Sequence, residues 1–479
     1  MYTRDQLFVD GKWAAPQGDS VITVVSPHSG TEIGRAVCAG ALDVDRAVGA
    51  ARAAFDTGPW PRMQPSERIE AIGRLAGIYK ERRADMAALI SAEIGAPISF
   101  AKMAQVRLPL TMMSAFCGIA ASYPWQQDRA GVYGKDIRIV KQPVGVVAAI
   151  VPWNMPQFLT VAKVVPALLA GCTVVLKPAP ESVLDAQLLA DLVAEADLPP
   201  GVFNVVPGGR DVGEQLVSHD GVDKVSFTGS TAAGRIIGGV CGQALKPVTL
   251  ELGGKSAAVI LDDADLSTVM PGLAYLSFIN TGQSCFLNSR VLAPRPMYDQ
   301  VVDGLSSIAR SFVLGQPLDP ATTMGPLVSE RQRERVEGFI ATGKAEGALV
   351  TAGGGRPRGL DRGWFLEPTI FSDVDNSMTI AREEIFGPVI CVIPYDTDDE
   401  AVQIANDTEY GLAGSVWGTD TERALSLARR VETGTIGLNM WTLDPGSPFG
   451  GWKSSGLGKE LGPEGLDAYL NTKSINVPS

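Results

Sequence analysis

Histidine is almost missing from this sequence: His28 and His219 are the two in 479 residues. That scarcity argues against a histidine-rich metal centre, and it leaves any Cys-His or Ser-His couple only those two bases to recruit. Cysteine is sparse as well. The six, at positions 38, 117, 172, 241, 285 and 391, show no C-x-x-C or other metal or redox spacing, so independent thiols in a reducing cytoplasm, and no metal, are expected. Positive charge is in deficit, 41 Lys and Arg against 53 Asp and Glu for a net −12, which argues against a nucleic-acid or anionic-membrane surface. No run is long enough to span a bilayer. The most apolar, VVPALLAGCTVVL from Val164 to Leu176, lies between Lys163 and Lys177 and is interrupted by Pro166 and Gly171. The N-terminus MYTRDQLFVDGKW carries acids and no apolar core of the signal-peptide kind. No repeat or low-complexity tract appears.

What is present is a globular profile, 45% hydrophobic and 20% charged, on a chain long enough for two or three domains. From about 143 to 261 short β-branched runs alternate with helical segments. VGVVAAIV, CTVVL, VFNVV, KVSF, PVTLEL and AAVIL read as strands. QFLTVAKVVPALLAG reads as a helix ended by Gly171, DAQLLADLVAEA as an amphipathic helix, and GEQLVSH and AAGRIIGGV as further helices. Such alternation predicts a parallel sheet covered on both faces. A second α/β series runs from about 265 to 440, with helices in VDGLSSIARSF and RQRERVEGFIATGKAEG and strands in VICVIPY, GSVWG and GTIGLN. DRAGVYGKDIRIVKQP has hairpin character, and the extended tail TKSINV is suited, like that hairpin, to pairing with something else.

Six stretches carry chemistry-bearing residues, each with a second reading. Asn154, in AAIVPWNMP, follows a buried strand, where open α/β sheets place ligands; its amide suits an oxyanion, or it forms an Asx turn holding the proline-rich bend. Lys177, in TVVLKPAPES, suits a nucleotide ribose or phosphate, or snorkels from a strand end. Gly229 and Ser230, in VSFTGSTAAGR, form a strand-turn-helix suited to a pyrophosphate, as do Gly209 and Gly213 in VPGGRDVGEQ, or each is one of the common glycine turns before a helix; neither is G-x-G-x-x-G. Glu251, in TLELGGKSA, ends a buried strand before two glycines, where a carboxylate is costly unless paired or functional. Cys285, in NTGQSCFLNSR, is either an inert buried thiol or a nucleophile awaiting nearby dipoles or cations.

Taken together, PWNMP, LKPAPE, FTGST, ELGGKS, GQSC with Arg290 after it, EEIFGPV and PFGGWKSSGLGKELG occur in an order that resembles the aldehyde dehydrogenase superfamily along essentially the whole chain. The resemblance implies an α/β fold with a Rossmann-like doubly wound cofactor domain (1–121 and 143–253, with 448–462 returning to it), a second α/β catalytic domain (254–447) and a β-hairpin oligomerisation element (122–142 and 463–479). It implies Cys285 as nucleophile, forming a thiohemiacetal whose oxyanion is held by Asn154 and the Cys285 backbone N–H. Hydride then passes to the nicotinamide, and Glu251 activates the water that hydrolyses the thioester. Relatives that release acyl-CoA typically lack this base, so a free acid is the expected product. Lys163 is the candidate proton-relay or structural lysine.

The same resemblance places Lys177 at the adenine ribose, Gly229 and Ser230 at the pyrophosphate, Glu384 and Phe386 at the nicotinamide ribose, and Phe449 at the nicotinamide end. Ile150, Pro152, Trp153, Pro180, Gly209, Gly213 and Phe227 complete the expected cofactor surface. NAD is the expected cofactor, with NADP left open because Pro180 stands where NAD-preferring relatives often carry glutamate, the carboxylate coming one residue later at Glu181. The expected substrate tunnel comprises Met155, Phe158, Leu159, Ala162, Phe286, Trp441 and Leu443, with Met113 and Phe116 from an upstream helix. Ala162 stands where many relatives have tryptophan, and nothing cationic is expected there, so a medium or bulky apolar aldehyde (aromatic, terpenoid or aliphatic) is favoured over semialdehyde acids and sugar phosphates. A homo-oligomer is expected, a tetramer rather than a dimer. The competing readings are a catalytically silent relative and a thiol esterase using Cys285 without redox chemistry.

Overall fold

The computed structural model describes residues 2–477. Two large sheets dominate it. The first has the strand order Phe203–Val205, Thr173–Lys177, Val146–Ile150, Lys224–Thr228, Val248–Glu251, Gly456–Leu457, parallel throughout except for the last pair. All residues of the four strands from 146 to 228 are buried, as expected for strands covered on both faces. Crossover helices Pro156–Ala170, Val183–Glu195, Arg210–Ser218 and Thr231–Gln243 connect the strands in turn. Gly171 ends the first of them in the left-handed conformation at φ 94°, as its sequence suggests.

The second sheet runs Leu349–Ala352, Thr369–Ser372, Val389–Tyr395, Asn288–Pro294, Ser256–Ile260, Gly414–Trp417, Gly437–Leu438, with only its first pair antiparallel. Two readings of the sequence need correcting here. Strand Ser256–Ile260 belongs to this second sheet rather than continuing the first, because the chain crosses over at Gly253 and Gly254. Helix Val183–Glu195 is not amphipathic: its first eight residues are all buried, Asp185 and Gln187 included, because it also packs against Pro65–Glu81 and Arg83–Ile94.

A third, antiparallel sheet joins Gln126–Ala130, Asp136–Pro143 and Leu470–Val477, so the hairpin and the tail strand pair with each other. Upstream, helical residues 98–122 contain a π-helical segment, Ala101–Arg107. Pro109 explains the break: it brings no N–H for the Gln105 carbonyl, and the Tyr79 hydroxyl donates to that oxygen instead at 3.2 Å.

Candidate active site between the two sheets

Strand Val248–Glu251 ends in the first sheet and Ser256–Ile260 begins in the second; Leu252, Gly253, Gly254 and Lys255 form the buried bridge between them. Both glycines are needed for close approach. A Cβ on Gly253 would stand 2.6 Å from Glu384 Oε2, and one on Gly254 would run into the backbone oxygen of Cys285. Thus Glu384 and Cys285, both carried on loops entering strands of the second sheet, come up against the end of the first.

The loop bearing Cys285 has an uncommon backbone. Asn280, Thr281 and Gly282 follow one another at φ 52°, 58° and 72°, all left-handed. For a β-branched threonine this costs roughly 1–3 kcal/mol, so the surroundings must hold it. They do so with a dense set of bonds. Asn280 Nδ2 donates to the backbone oxygens of Asn154 at 2.8 Å and Gln283 at 3.2 Å, and Thr281 Oγ1 donates to Gly325 O at 3.2 Å. Gln283 Oε1 accepts from Val328 N at 3.0 Å, and its Nε2 donates to Asn280 O at 3.2 Å. From the first sheet, Asn154 Nδ2 donates to Gln283 O at 3.0 Å. One of the two N–H groups of that amide remains to serve the space beside the thiol.

Cys285 is half-buried. Burial first, then the carboxylates of Glu384 and Glu251, push its pKa well up, so the resting group is a thiol and needs a base. Glu251 is 2% exposed, and neither of its carboxylate oxygens has a hydrogen-bond partner. Burial, reinforced by the Glu460 carboxylate, raises its pKa well above the usual carboxylate range against the pull of Lys163 and Lys459. A buried, unbonded carboxyl group of this kind suits acid or base chemistry. Beside it, Lys163 donates to Glu460 in a buried ion pair, and Tyr469 donates to Ser226 at 3.2 Å. Phe449 and Glu460 exchange backbone hydrogen bonds at 2.7 Å, which places Gly450 so close that a Cβ there would meet Glu251 Oε1 at 2.7 Å. The sequence marked Lys163 but not its partner Glu460, nor Gln283; a lysine inside an otherwise apolar helix was the available signal that a buried acid must exist.

A cavity of about 490 Å³ opens from Cys285 and Asn154 past Pro152, Trp153, Gly229, Ser230, Glu384 and Phe386. It lies at the carboxyl ends of strands Val146–Ile150 and Lys224–Thr228, where the strand order switches direction. Lys177, Ile150 and Phe227 are register partners across three adjacent strands. Phe227 packs beneath Gly229, whose missing Cβ makes room for it. Ser230 caps helix Thr231–Gln243, accepting from Ala233 N at 3.3 Å. Trp153 and Phe386 meet edge to face at 5.5 Å, and Gly254 N donates to Glu384 Oε1 at 3.1 Å. Burial raises the Glu384 carboxyl to about 7. Lys177 donates to Pro178 O at 3.0 Å, and burial lowers its pKa to about 8 against the pull of Glu181. Gly213 faces the Lys177 stem, at 3.5 Å from a built Cβ to Cδ, whereas Gly209 caps helix Arg210–Ser218 in the open and Pro180 starts the turn Pro180–Ser182.

A smaller cavity of about 210 Å³ is lined by Met155, Phe286, Trp441 and Leu443, four of the residues expected for the tunnel. Phe286 and Trp441 pack edge to face at 5.4 Å. The structure does not bring Met113, Phe116, Phe158, Leu159 or Ala162 to its wall; they lie in the hydrophobic core, where helix Pro156–Ala170 is buried on every side. The wall is completed by residues the sequence did not single out, among them Phe100, Met103, Leu276 and Ile279. Arg107 is another, so the expectation of no cation near the tunnel is corrected: the π-helical segment turns this exposed arginine to the cavity rim.

The aldehyde dehydrogenase family model matches residues 13–475. The chain is 45% identical over 469 residues, 98% of each protein, to the geranial dehydrogenase of Castellaniella defragrans. An aldehyde dehydrogenase of Mycobacterium tuberculosis solved with NAD+ superposes with a TM-score of 0.98 at 49% identity, covering 100% of this chain and 99% of that one. A variant of aldehyde dehydrogenase C of Pseudomonas syringae, solved with NAD+ and octanal, superposes with a TM-score of 0.96 at 43% identity, over 99% and 97% of the two chains. The fold, the site between its sheets and these likenesses agree: the chain belongs to the aldehyde dehydrogenase family.

Proposed function

We propose that the protein oxidises medium or bulky apolar aldehydes to carboxylic acids with NAD. The observation that carries this reading is the convergence of the Cys285 thiol, the partly free Asn154 amide and the unbonded Glu251 carboxylate at the meeting of the two sheets. The sulfur adds to the aldehyde carbonyl as a base takes its proton, and the new oxyanion receives the free Asn154 N–H. NAD, when bound, supplies the electron acceptor. Glu251 then takes a proton from the water that cleaves the Cys285 thioester, a task suited to a carboxylate with a raised pKa.

The larger cavity fits a dinucleotide. Its helix N-terminus at Ser230 suits a pyrophosphate, the Glu384 carboxylate suits ribose hydroxyls, and Trp153 and Phe386 offer flat apolar walls; Lys177, outside this lining on the neighbouring strand end, suits the second ribose. The Glu181 carboxylate, near enough to raise the pKa of Lys177, supports NAD over NADP by repelling a 2′-phosphate. The apolar wall of the smaller cavity supports the substrate class, as do the geranial and octanal named for the relatives.

The proposed division into a cofactor domain, a catalytic domain and an assembly element is supported by the two large sheets and the sheet of hairpin and tail, three of the six sheets among the described residues. The exposed strands Gln126–Ala130 and Leu470–Val477 support a homo-oligomer, proposed as a tetramer. Six free thiols suit a cytoplasmic setting.

The test is the near-ultraviolet signal of reduced cofactor with octanal and geranial, NAD and NADP supplied in parallel, for wild type and Cys285→Ala. A signal with NAD that the variant abolishes is the expected result. Faster turnover of acetaldehyde or succinic semialdehyde would overturn the substrate class.

A further inference from the structure

Beyond the rim of the smaller cavity lies a second, larger cleft of about 650 Å³, and Arg107 and Thr111 line both. The cleft runs between helices Pro65–Glu81 and Arg83–Ile94 on one side and helical residues 101–122 on the other. Its ionisable lining consists of Lys80, Arg83, Lys102 and Arg107, four exposed cations with no carboxylate among them. None of the four makes an ion pair among the described residues; Asp85, on the helix of Arg83, is already bonded to Arg82 at 2.7 Å. In a chain of net charge −12, an acid-free cluster of four cations is a local reversal of sign. Like charges gathered around a cleft repel one another, and an anion seated among them relieves that repulsion. The exposed hydroxyl-bearing residues Thr111 and Ser114 add polar lining to the same cleft.

The two cavities adjoin at Arg107 and Thr111 and differ in character: apolar at Phe286, Met155 and Trp441, then cationic from Arg107 outward. We infer that together they recognise aldehydes whose far end carries an anion, a carboxylate or phosphate, with the apolar chain in the inner cavity and the anion on Arg107, Lys102, Lys80 and Arg83. This rests on the proposed oxidation of aldehydes with an apolar chain and extends that substrate class to long chains with an anionic far end. It also requires length: a short semialdehyde acid would leave its charge inside the apolar stretch, unpaired and desolvated.

The test compares straight-chain aldehydes from hexanal to dodecanal, each paired with the same chain ending in a carboxylate. In wild type, the ratio of kcat/KM for the oxo acid over the neutral aldehyde is expected to climb with length to about ten-fold, through KM, and to shrink as salt is raised. Arg107→Ala and the double variant Lys80→Glu with Lys102→Glu are expected to return that ratio to about one, and the exposed positions leave the melting temperature unmoved. A wild-type ratio near one at every length, or a ratio the variants do not change, overturns the subsite while the apolar-aldehyde reading stands. Failure to oxidise either member of any pair overturns both. Inorganic phosphate added to wild type is expected to compete with the oxo acid and not with the neutral aldehyde; equal inhibition of both would also overturn the subsite.

Discussion

The Asn154 amide donates to the backbone carbonyl of Gln283 at 3.0 Å, joining the loop at a strand end of one sheet to the loop that carries the thiol on the other. Substituting either residue should therefore have distinguishable effects. Asn154→Ala removes the proposed oxyanion donor, and kcat should fall by about 10²–10³. Gln283→Ala leaves Val328 N without its acceptor, and should cost about 1–3 kcal/mol of stability as well as activity. Steady-state kinetics beside thermal denaturation separates the two; equal melting shifts with unaltered kcat would contradict both expectations.

Glu251 gives a prediction with a sign. Its folded pKa lies above the ordinary value of about 4.3. The group's contribution to stability is fully present below that ordinary value and is lost as pH rises through the folded pKa. Glu251→Gln removes this loss, so the variant should gain melting temperature over wild type, increasingly so toward alkaline pH. In the same variant the rise of kcat with pH that belongs to the deprotonated base should vanish. A melting-temperature difference that is flat across pH would refute the assignment.

The Lys163–Glu460 pair is buried on both sides, at 0% and 4% side-chain exposure. Breaking it one-sidedly, as in Lys163→Met, should destabilise by about 3–5 kcal/mol because an uncompensated charge is left inside. The double variant Lys163→Met with Glu460→Leu should recover most of that loss in denaturant titration. If the singles and the double lose equally, the pair is not coupled.

The proposed preference for NAD over NADP rests on one charge beside Lys177. Glu181→Gln should raise kcat/KM for NADP relative to NAD by about ten-fold, since the repulsion of a 2′-phosphate is removed. Parallel assays with both cofactors measure the ratio directly. Gly253→Ala tests the cavity beside Cys285: its Cβ, 2.6 Å from Glu384 Oε2, should displace that carboxylate and weaken NAD binding in calorimetry.

The strands around Lys177, Glu251 and Asn154 were legible because a buried parallel strand is a continuous apolar run, and a polar residue at its end stands out. The helix ending at Gly171 was equally plain, since only the left-handed turn needs that residue. The tunnel was less legible. Phe158, Leu159 and Ala162 are apolar whether they face a cavity or a core, and nothing in their spacing says which. Arg107 was missed because the π-helical turn shifts the phase of the helix, and the bond that satisfies the carbonyl freed by Pro109, from Tyr79 to Gln105, links residues 26 apart. Gln283 and Glu460 were missed for a related reason: each is defined by partners far away in the chain.

The three left-handed residues before the thiol have a consequence for how the protein comes into being. Asn280 is held by Asn154 from one half of the molecule and Thr281 by Gly325 from the other, while Gly282 lies against the backbone of Gly387. Asn154 supplies two of the bonds on this loop, so the loop is fully held only when both halves have docked. During synthesis or refolding, the loop would stay relaxed until both halves had docked, and only then would Cys285 be presented. Turnover would thus be the last property to appear, later than the circular-dichroism signal of either sheet, and chains stalled part-way would remain chemically quiet.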